Sequence, residues 1–355
     1  MVAPAAAAGR VLPYTACMKR LAPVLLLALV SCADPGGPAP SPGAATWLSQ
    51  ETTFQDASVV IERVSYRSGA LRIVGQVCRT QIPGRRPVLL VAHGGFAGLG
   101  SEWNGGLCKS LAQAGNVVVE SSFRGEDGSE GSVEFCLGEV DDVLAMGQIA
   151  LAQPYADPNR ATLVGVSHGG CIALRALQRG APVQAAVDVF GPTEAVSLVQ
   201  FWQGRIAAGD PRSAEYQAFL QPLLAAAGGP PEAVPAAYAA RSPLTFAPAL
   251  DAWPGTLLMV HGTDDPLVPV GQSCLLAARL GGLRAYYRDA LRVLSGPPPG
   301  CAADGIAWRT DALPAPGWSD RRYLMVYRGA GHDINSPSGA AMLSDVLSFL
   351  IARGN

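Results

Sequence analysis

Past residue 45 the chain alternates short apolar runs with longer stretches of mixed polarity, and that alternation sets the expected architecture. Residues 58–66 alternate apolar and polar positions as a half-buried strand does, and residues 71–78 resume the pattern after Ser68-Gly69, which predicts a hairpin. Nearly continuous apolar runs follow at 88–92, 117–119, 162–166, 185–189, 256–261 and 323–327. They are too short for helices and read as strands covered on both faces. Between them, residues 106–113, 139–152 and 338–352 carry helical patterning. Asp141 and Asp142 suit the positive end of the second of these helices. Eight strands alternating with helices predict an α/β fold class with a mainly parallel eight-stranded sheet flanked by helices.

Two segments break the alternation. Residues 192–253 read as several short helices carrying Phe201, Trp202, Tyr216, Phe219 and Tyr238. An insertion there forms a helical cap over the carboxyl ends of the strands, where ligands bind in such sheets. Residues 284–320, with Pro297-Pro298-Pro299-Gly300-Cys301, read as loop and carry no assigned role.

The bulk properties narrow the function. The 355 residues carry a net charge of −2 with only 15% charged residues, so there is no basic field to hold a nucleic acid. A hydrophobic content of 49% excludes a disordered chain. The amino-terminal stretch is a leader rather than part of the fold. Met18-Lys19-Arg20 precedes an apolar run at 21–30 that is too short to span a bilayer. It ends in Leu29-Val30-Ser31-Cys32, which resembles the lipobox of bacterial lipoproteins. The resemblance implies cleavage before Cys32, lipidation of that thiol, and an exported, membrane-anchored protein facing the periplasm or the cell exterior. The expected organisation is an extension and signal peptide over 1–31, a Pro/Gly/Ala-rich tether over 32–45 and one catalytic domain over 46–355.

Cys78, Cys108, Cys136, Cys171, Cys274 and Cys301 remain in the folded part, and an oxidising compartment permits disulfides among them. Six cysteines allow about 15 pairings, among which spacing does not choose. Cys274–Cys301 and Cys108–Cys136 are the expected pairs, with Cys171 left as a free thiol in a buried helix. No Cys-x-x-Cys or His/Cys cluster points to zinc, and no metal or other cofactor is expected.

Chemistry enters at Gly165-Val166-Ser167-His168-Gly169. A G-x-S-x-G pattern between an apolar run and a helix-forming run is the sequence form of a nucleophile elbow, a tight turn that presents a serine hydroxyl at the end of a sheet. Such a serine needs a histidine base and an orienting carboxylate, arriving in the order Ser, acid, His after later strands. The chain supplies His261-Gly262-Thr263-Asp264-Asp265-Pro266 after one strand and Gly331-His332-Asp333 after the last. His332 is the expected base. Asp264 and Asp265 both stand where the acid should be. The developing oxyanion needs two donors. The His168 N–H directly after the nucleophile is one, and the loop His93-Gly94-Gly95-Phe96 offers the other, with Gly95 preferred to Phe96. The side chain of His168 is expected to contact substrate or to pack, and His93 and His261 to brace their loops.

The ordered set of these pieces resembles the catalytic domain of the prolyl oligopeptidase family of α/β-hydrolases. The matching residues are His93-Gly94-Gly95, Phe123-Arg124-Gly125 with Gly128 and Gly131, Glu139 with Asp142, the elbow, Arg241-Ser242-Pro243-Leu244, the loop His261 to Pro269, and Gly331-His332. The resemblance selects Asp265 as the acid and implies structural roles for Arg124 and Asp142. It implies the α/β-hydrolase fold and a serine hydrolase acting on a small ester or short peptide. The peptidases of this family usually carry a β-propeller, and about a dozen residues between tether and first strand leave no room for one here, so esterase is expected slightly ahead of peptidase. An inactive binding lipoprotein on the same fold would be expected to show a broken triad or oxyanion loop, and neither is broken in this sequence.

Overall fold

The computed structural model describes residues 46–354, apart from 101–105, 303, 312 and 314–316. The leader and tether expected over residues 1–45, with Cys32, lie outside the described residues. A hairpin of β2 (Val59–Ser68) and β3 (Leu71–Thr80) opens the domain, turning at Gly69 with a φ of +58° that glycine adopts without a Cβ clash. β1 (Ser49–Gln55) pairs antiparallel outside it. The chain then winds through β4 (Arg86–Ala92), α1 (Gly106–Gln113), β5 (Val117–Ser121), α2 (Gly138–Leu151), β6 (Ala156–Val166), α3 (His168–Gln178) and β7 (Ala185–Val189). The cap follows as α4 (Ala195–Ala207), α5 (Ser213–Ala227), α6 (Pro235–Arg241), a 3-10 turn at Pro243–Phe246 and α7 (Ala247–Ala252). β8 (Thr256–Gly262), α8 (Gly271–Ala277), β9 (Leu283–Arg288), the short β10 (Val293–Leu294) and β11 (Trp308–Arg309), β12 (Arg322–Tyr327) and α9 (Pro337–Ala352) complete it.

The strands form one sheet in the order β1-β2-β3-β5-β4-β6-β7-β8-β12-β9-β10, with β11 beside β9. From β5 through β9 neighbouring strands run parallel. β5 and β7 are buried at every residue, which is why they read as mainly apolar runs, broken by Glu120 and Ser121 in one and Asp188 in the other. Among the described residues the sheet holds twelve strands rather than the expected eight. All eight expected strands are present, and the additions lie at the edges: β1 on one side, and β9, β10 and β11 on the other, where a loop was expected.

Two apolar cores sit on opposite faces. One packs α2, α3, α8 and the cap helices against the sheet and includes Cys136 and Cys171. The other packs α1 and α9 and includes Cys78 and Cys108. The sheet therefore separates Cys108 from Cys136, and the expected bond between them does not form. Cys78 pairs with Cys108 instead, with Cα atoms 5.8 Å apart, and Cys136 pairs with Cys171, also at 5.8 Å. Cys171 is thus not a free thiol. Cys274 and Cys301 are joined, their Cα atoms 5.6 Å apart. Among the described residues no helix is long and apolar enough to cross a membrane, and no group of His, Cys, Asp and Glu is arranged to hold a metal ion.

Candidate active site

Ser167 sits between the last residue of β6 and the first of α3 with φ +55° and ψ −121°, a conformation costly to any residue with a Cβ. Close packing enforces it. A Cβ on Gly165 would lie 2.3 Å from the Gly169 carbonyl oxygen, and one on Gly169 would lie 2.0 Å from that of Ala92. Glycine at these two places lets α3 start directly against β4 and β6, and the serine is the residue forced outward.

The loop after β12 brings His332 to this hydroxyl, with Nε2 2.9 Å from Ser167 Oγ. Its Nδ1 lies 2.6 Å from Oδ2 of Asp265, in the loop after β8. The Leu267 and Val268 N–H groups each donate to Oδ1 of Asp265 at 2.9 Å. Burial pushes the Asp265 carboxyl up, but hydrogen bonds and charge attraction from His261 and His332 outweigh it and hold the group well below the usual carboxylate range. Asp264, the alternative acid, instead accepts from the Thr263 hydroxyl at 2.8 Å and faces away. His261 braces the acid loop: its Nε2 lies 2.8 Å from the Val268 carbonyl oxygen and 3.5 Å from Oδ2 of Asp265, and its Nδ1 lies 2.7 Å from Ser273 Oγ. His93 stacks on Phe123 with ring centres 4.3 Å apart, its Nε2 3.2 Å from a Glu126 carboxylate oxygen.

Gly95 and Phe96 face Ser167 and His168 across a pocket. Its remaining wall is apolar: Phe135, Pro192, Leu198 and Trp202 of α4, Phe219 of α5, Leu267 and Val268. The pocket is shallow and open to solvent, and its enclosed part is only about 20 Å³. Trp202 ties the cap to the acid loop, donating Nε1–H to the Leu267 carbonyl at 2.8 Å. The cap helices α4 and α5 thus form part of the wall beside Ser167.

Farther out, Arg124 donates from Nη2 and Nε to the two carboxylate oxygens of Asp142 at 2.9 and 3.1 Å and from Nη1 to Glu134 at 2.6 Å. Arg241 bonds the carbonyls of Glu134, Ala237 and Ala226. These arginines hold loops together and lie outside the pocket wall.

Sequence reasoning missed Phe190. It follows β7 with φ +43°, and its ring lies 4.2 Å from that of His332, tilted by 45°. The charge of Asp188 within an otherwise apolar strand was a signal for this turn, because its Oδ1 accepts the Gly191 N–H at 3.1 Å.

A serine, a histidine and an aspartate joined by hydrogen bonds on three loops of a parallel sheet recur in many hydrolases, so the wider pattern of residues must decide the lineage. Residues 106–290, just over half of the chain, match the sequence pattern of the prolyl oligopeptidase family. The chain belongs to the prolyl oligopeptidase family. This family member is similar to an uncharacterized peptidase of Bacillus subtilis (strain 168), YtmA, at 25% identity over 218 residues, covering 61% of this chain and 78% of that protein. Among solved structures, Pyrococcus horikoshii acylaminoacyl peptidase superposes with a TM-score of 0.57 at 16% identity, over 84% of this chain but 42% of that one. Acetyl xylan esterase from Paenibacillus sp. R4 superposes with a TM-score of 0.57 at 15% identity, over 88% of this chain and 89% of that one. The fold is therefore that of the α/β-hydrolases, and the prolyl oligopeptidase-family chain is a serine hydrolase.

Proposed function

We propose that this hydrolase cleaves a carboxylic ester, or a peptide or amide bond, through an acyl-enzyme on Ser167. The observation that carries this reading is the hydrogen-bonded series Asp265, His332, Ser167 at the mouth of an apolar pocket. An ionised Asp265 keeps the ring proton of His332 on Nδ1, so Nε2 is left to accept the serine proton as Oγ attacks a carbonyl carbon. The imidazolium that forms is stabilised by Asp265 and by the face of Phe190. The carbonyl oxygen becomes an oxyanion and meets the N–H groups of His168 and Gly95. His332 then returns its proton to the leaving group. Water, deprotonated by the same imidazole, attacks the acyl carbon and frees Ser167, so water is the only co-substrate.

The pocket beside Ser167 suits a short apolar acyl group. Among the described residues its lining holds no Asp, Glu, Lys or Arg, and the His168 ring is kept neutral by burial, a wall in keeping with an uncharged acyl group and with ester ahead of amide. Export with a lipid anchor on Cys32 completes the proposal. Three disulfides among the described residues are in keeping with an oxidising compartment.

Wild-type protein is expected to be labelled by a fluorophosphonate probe and the Ser167→Ala variant not at all, with turnover lower by on the order of 10⁴-fold. Undiminished labelling of that variant excludes Ser167. A panel of p-nitrophenyl acyl esters against aminoacyl and prolyl amides decides the substrate class, and amide turnover equal to ester turnover refutes the ester preference. Fatty-acid labelling that survives Cys32→Ala refutes the anchor.

A further inference from the structure

We infer that the imidazole of His168 is a positioning residue for the oxyanion hole, held in one tautomer by the disulfide loop at Cys136 so that it fixes the Gly95 carbonyl. The inference rests on the proposed role of Ser167 and concerns how the two oxyanion donors are kept in register.

The wiring follows from donors and acceptors. The Cys136 N–H donates to Nε2 of His168 at 3.3 Å. A ring nitrogen that accepts carries no proton, so the proton of the neutral ring is on Nδ1. Nδ1 lies 3.1 Å from the Gly95 carbonyl oxygen, which can only accept. Burial, followed by the nearby His93, pushes the His168 ring down to about 3 against a small opposing effect of the Gly95 carbonyl, so the ring stays neutral. Phe96 at 4.8 Å and Phe135 at 5.1 Å wall it in.

Gly95 needs such a hold. It follows another glycine and has φ +75° with nothing near its Cβ position; its preceding peptide plane is held where the Gly94 carbonyl lies 3.0 Å from His93 Nδ1, and its following one is held by His168. Fixing the carbonyl on one side of its Cα restrains the N–H on the other. The far end of the link is equally anchored. Cys136 is bonded to Cys171, one turn along α3 from Ser167. Nucleophile, disulfide, imidazole and oxyanion loop therefore form one closed ring of contacts, and the two N–H donors belong to opposite ends of the same bridge. Losing one oxyanion donor outright costs about 10²–10³-fold in turnover. Letting one drift is expected to cost roughly ten- to a hundredfold.

The test compares His168→Phe, His168→Asn and the double variant Cys136→Ser/Cys171→Ser with wild type, using one p-nitrophenyl ester and phenylboronic acid, whose adduct with serine mimics the tetrahedral intermediate. His168→Phe is expected to lower kcat by roughly ten- to a hundredfold with KM within about threefold, and to weaken boronate binding by the same factor. His168→Asn, which keeps an N–H near the Nδ1 position, recovers much of both. The double cysteine variant moves both quantities the same way. A folded His168→Phe protein whose kcat and boronate affinity match wild type, or one in which only KM rises, overturns the inference. Should that variant fail to fold, unchanged kcat and boronate affinity in the cysteine variant overturn it. Wild type that resists the fluorophosphonate brings down the proposed function itself, whereas labelled wild type with unaltered variants removes only the role of His168.

Discussion

Asp188 stands in a strand of alanine and valine at 1% exposure. One carboxylate oxygen accepts the Gly191 N–H, and the other has no hydrogen-bond partner. Burial pushes its carboxyl up to about 7, offset in part by His261 and by the Gly191 N–H. The folded chain therefore keeps a proton between about pH 4 and pH 7 that the unfolded chain has already lost. Proton uptake is greater in the folded state across that window, so this group's contribution to stability falls as pH rises and is constant above it. The loss amounts to at most about 4 kcal/mol. Asparagine keeps an acceptor for Gly191 and carries no charge. The stability of Asp188→Asn relative to wild type is expected to grow from pH 4 to pH 8 in urea unfolding, and a pH-independent difference refutes the assignment. Buried Glu126, Glu139 and Asp142 are raised for the same reason and cancel in this difference. At this scale the sequence was informative where chemistry dictates residue type and order, as for Ser167 and His332; order left Asp264 and Asp265 both open, and only the family resemblance chose between them. It was weaker where contact depends on backbone geometry: Phe190 reaches His332 through a positive φ that its own residue type does not announce, and Asp188 two residues before it was the one hint.

The elements expected from apolar runs are the buried ones, and those overlooked are explained by their surroundings. β1 reads Ser-Gln-Glu-Thr-Thr-Phe-Gln and exposes nearly every residue, because it is an edge strand with solvent on both faces. β9 reads Leu-Arg-Ala-Tyr-Tyr-Arg; only its last four residues are buried, and arginines near both ends masked it as loop. The cap was legible as helical, but its junction with the sheet was not. Arg322, at the start of β12 and 1% exposed, donates to the carbonyls of Leu250, Asp251, Trp253 and Gly255. It closes the carboxyl end of α7, where helix carbonyls lack partners of their own. Arg322→Met keeps the bulk and strands those carbonyls. It is expected to lower stability by about 3 kcal/mol or more, read in urea, while the kcat of folded protein is unchanged.

Across the whole molecule, three loops from β6, β8 and β12 converge at one end of the sheet, and the disulfides fasten each face separately. Pairing was illegible because spacing along the chain does not record which side of the sheet a helix takes. Cys78–Cys108 closes a separation of 30 residues on the face away from the pocket. Its removal by Cys78→Ser/Cys108→Ser is expected to lower stability by roughly 3–4 kcal/mol with kcat preserved. A fall in kcat matching that of the Cys136/Cys171 variant contradicts the separation of the two faces. The backbone at Ser167 carries a consequence of another kind. Its φ of +55° with ψ −121° suits glycine alone, so the nucleophile occupies a place where its own side chain opposes folding. A chain that abandoned catalysis and put glycine there would gain stability. Alanine keeps the Cβ and the tension of the turn, which makes Ser167→Ala, rather than Ser167→Gly, the variant in which to capture an uncleaved substrate in the geometry that wild type presents to it.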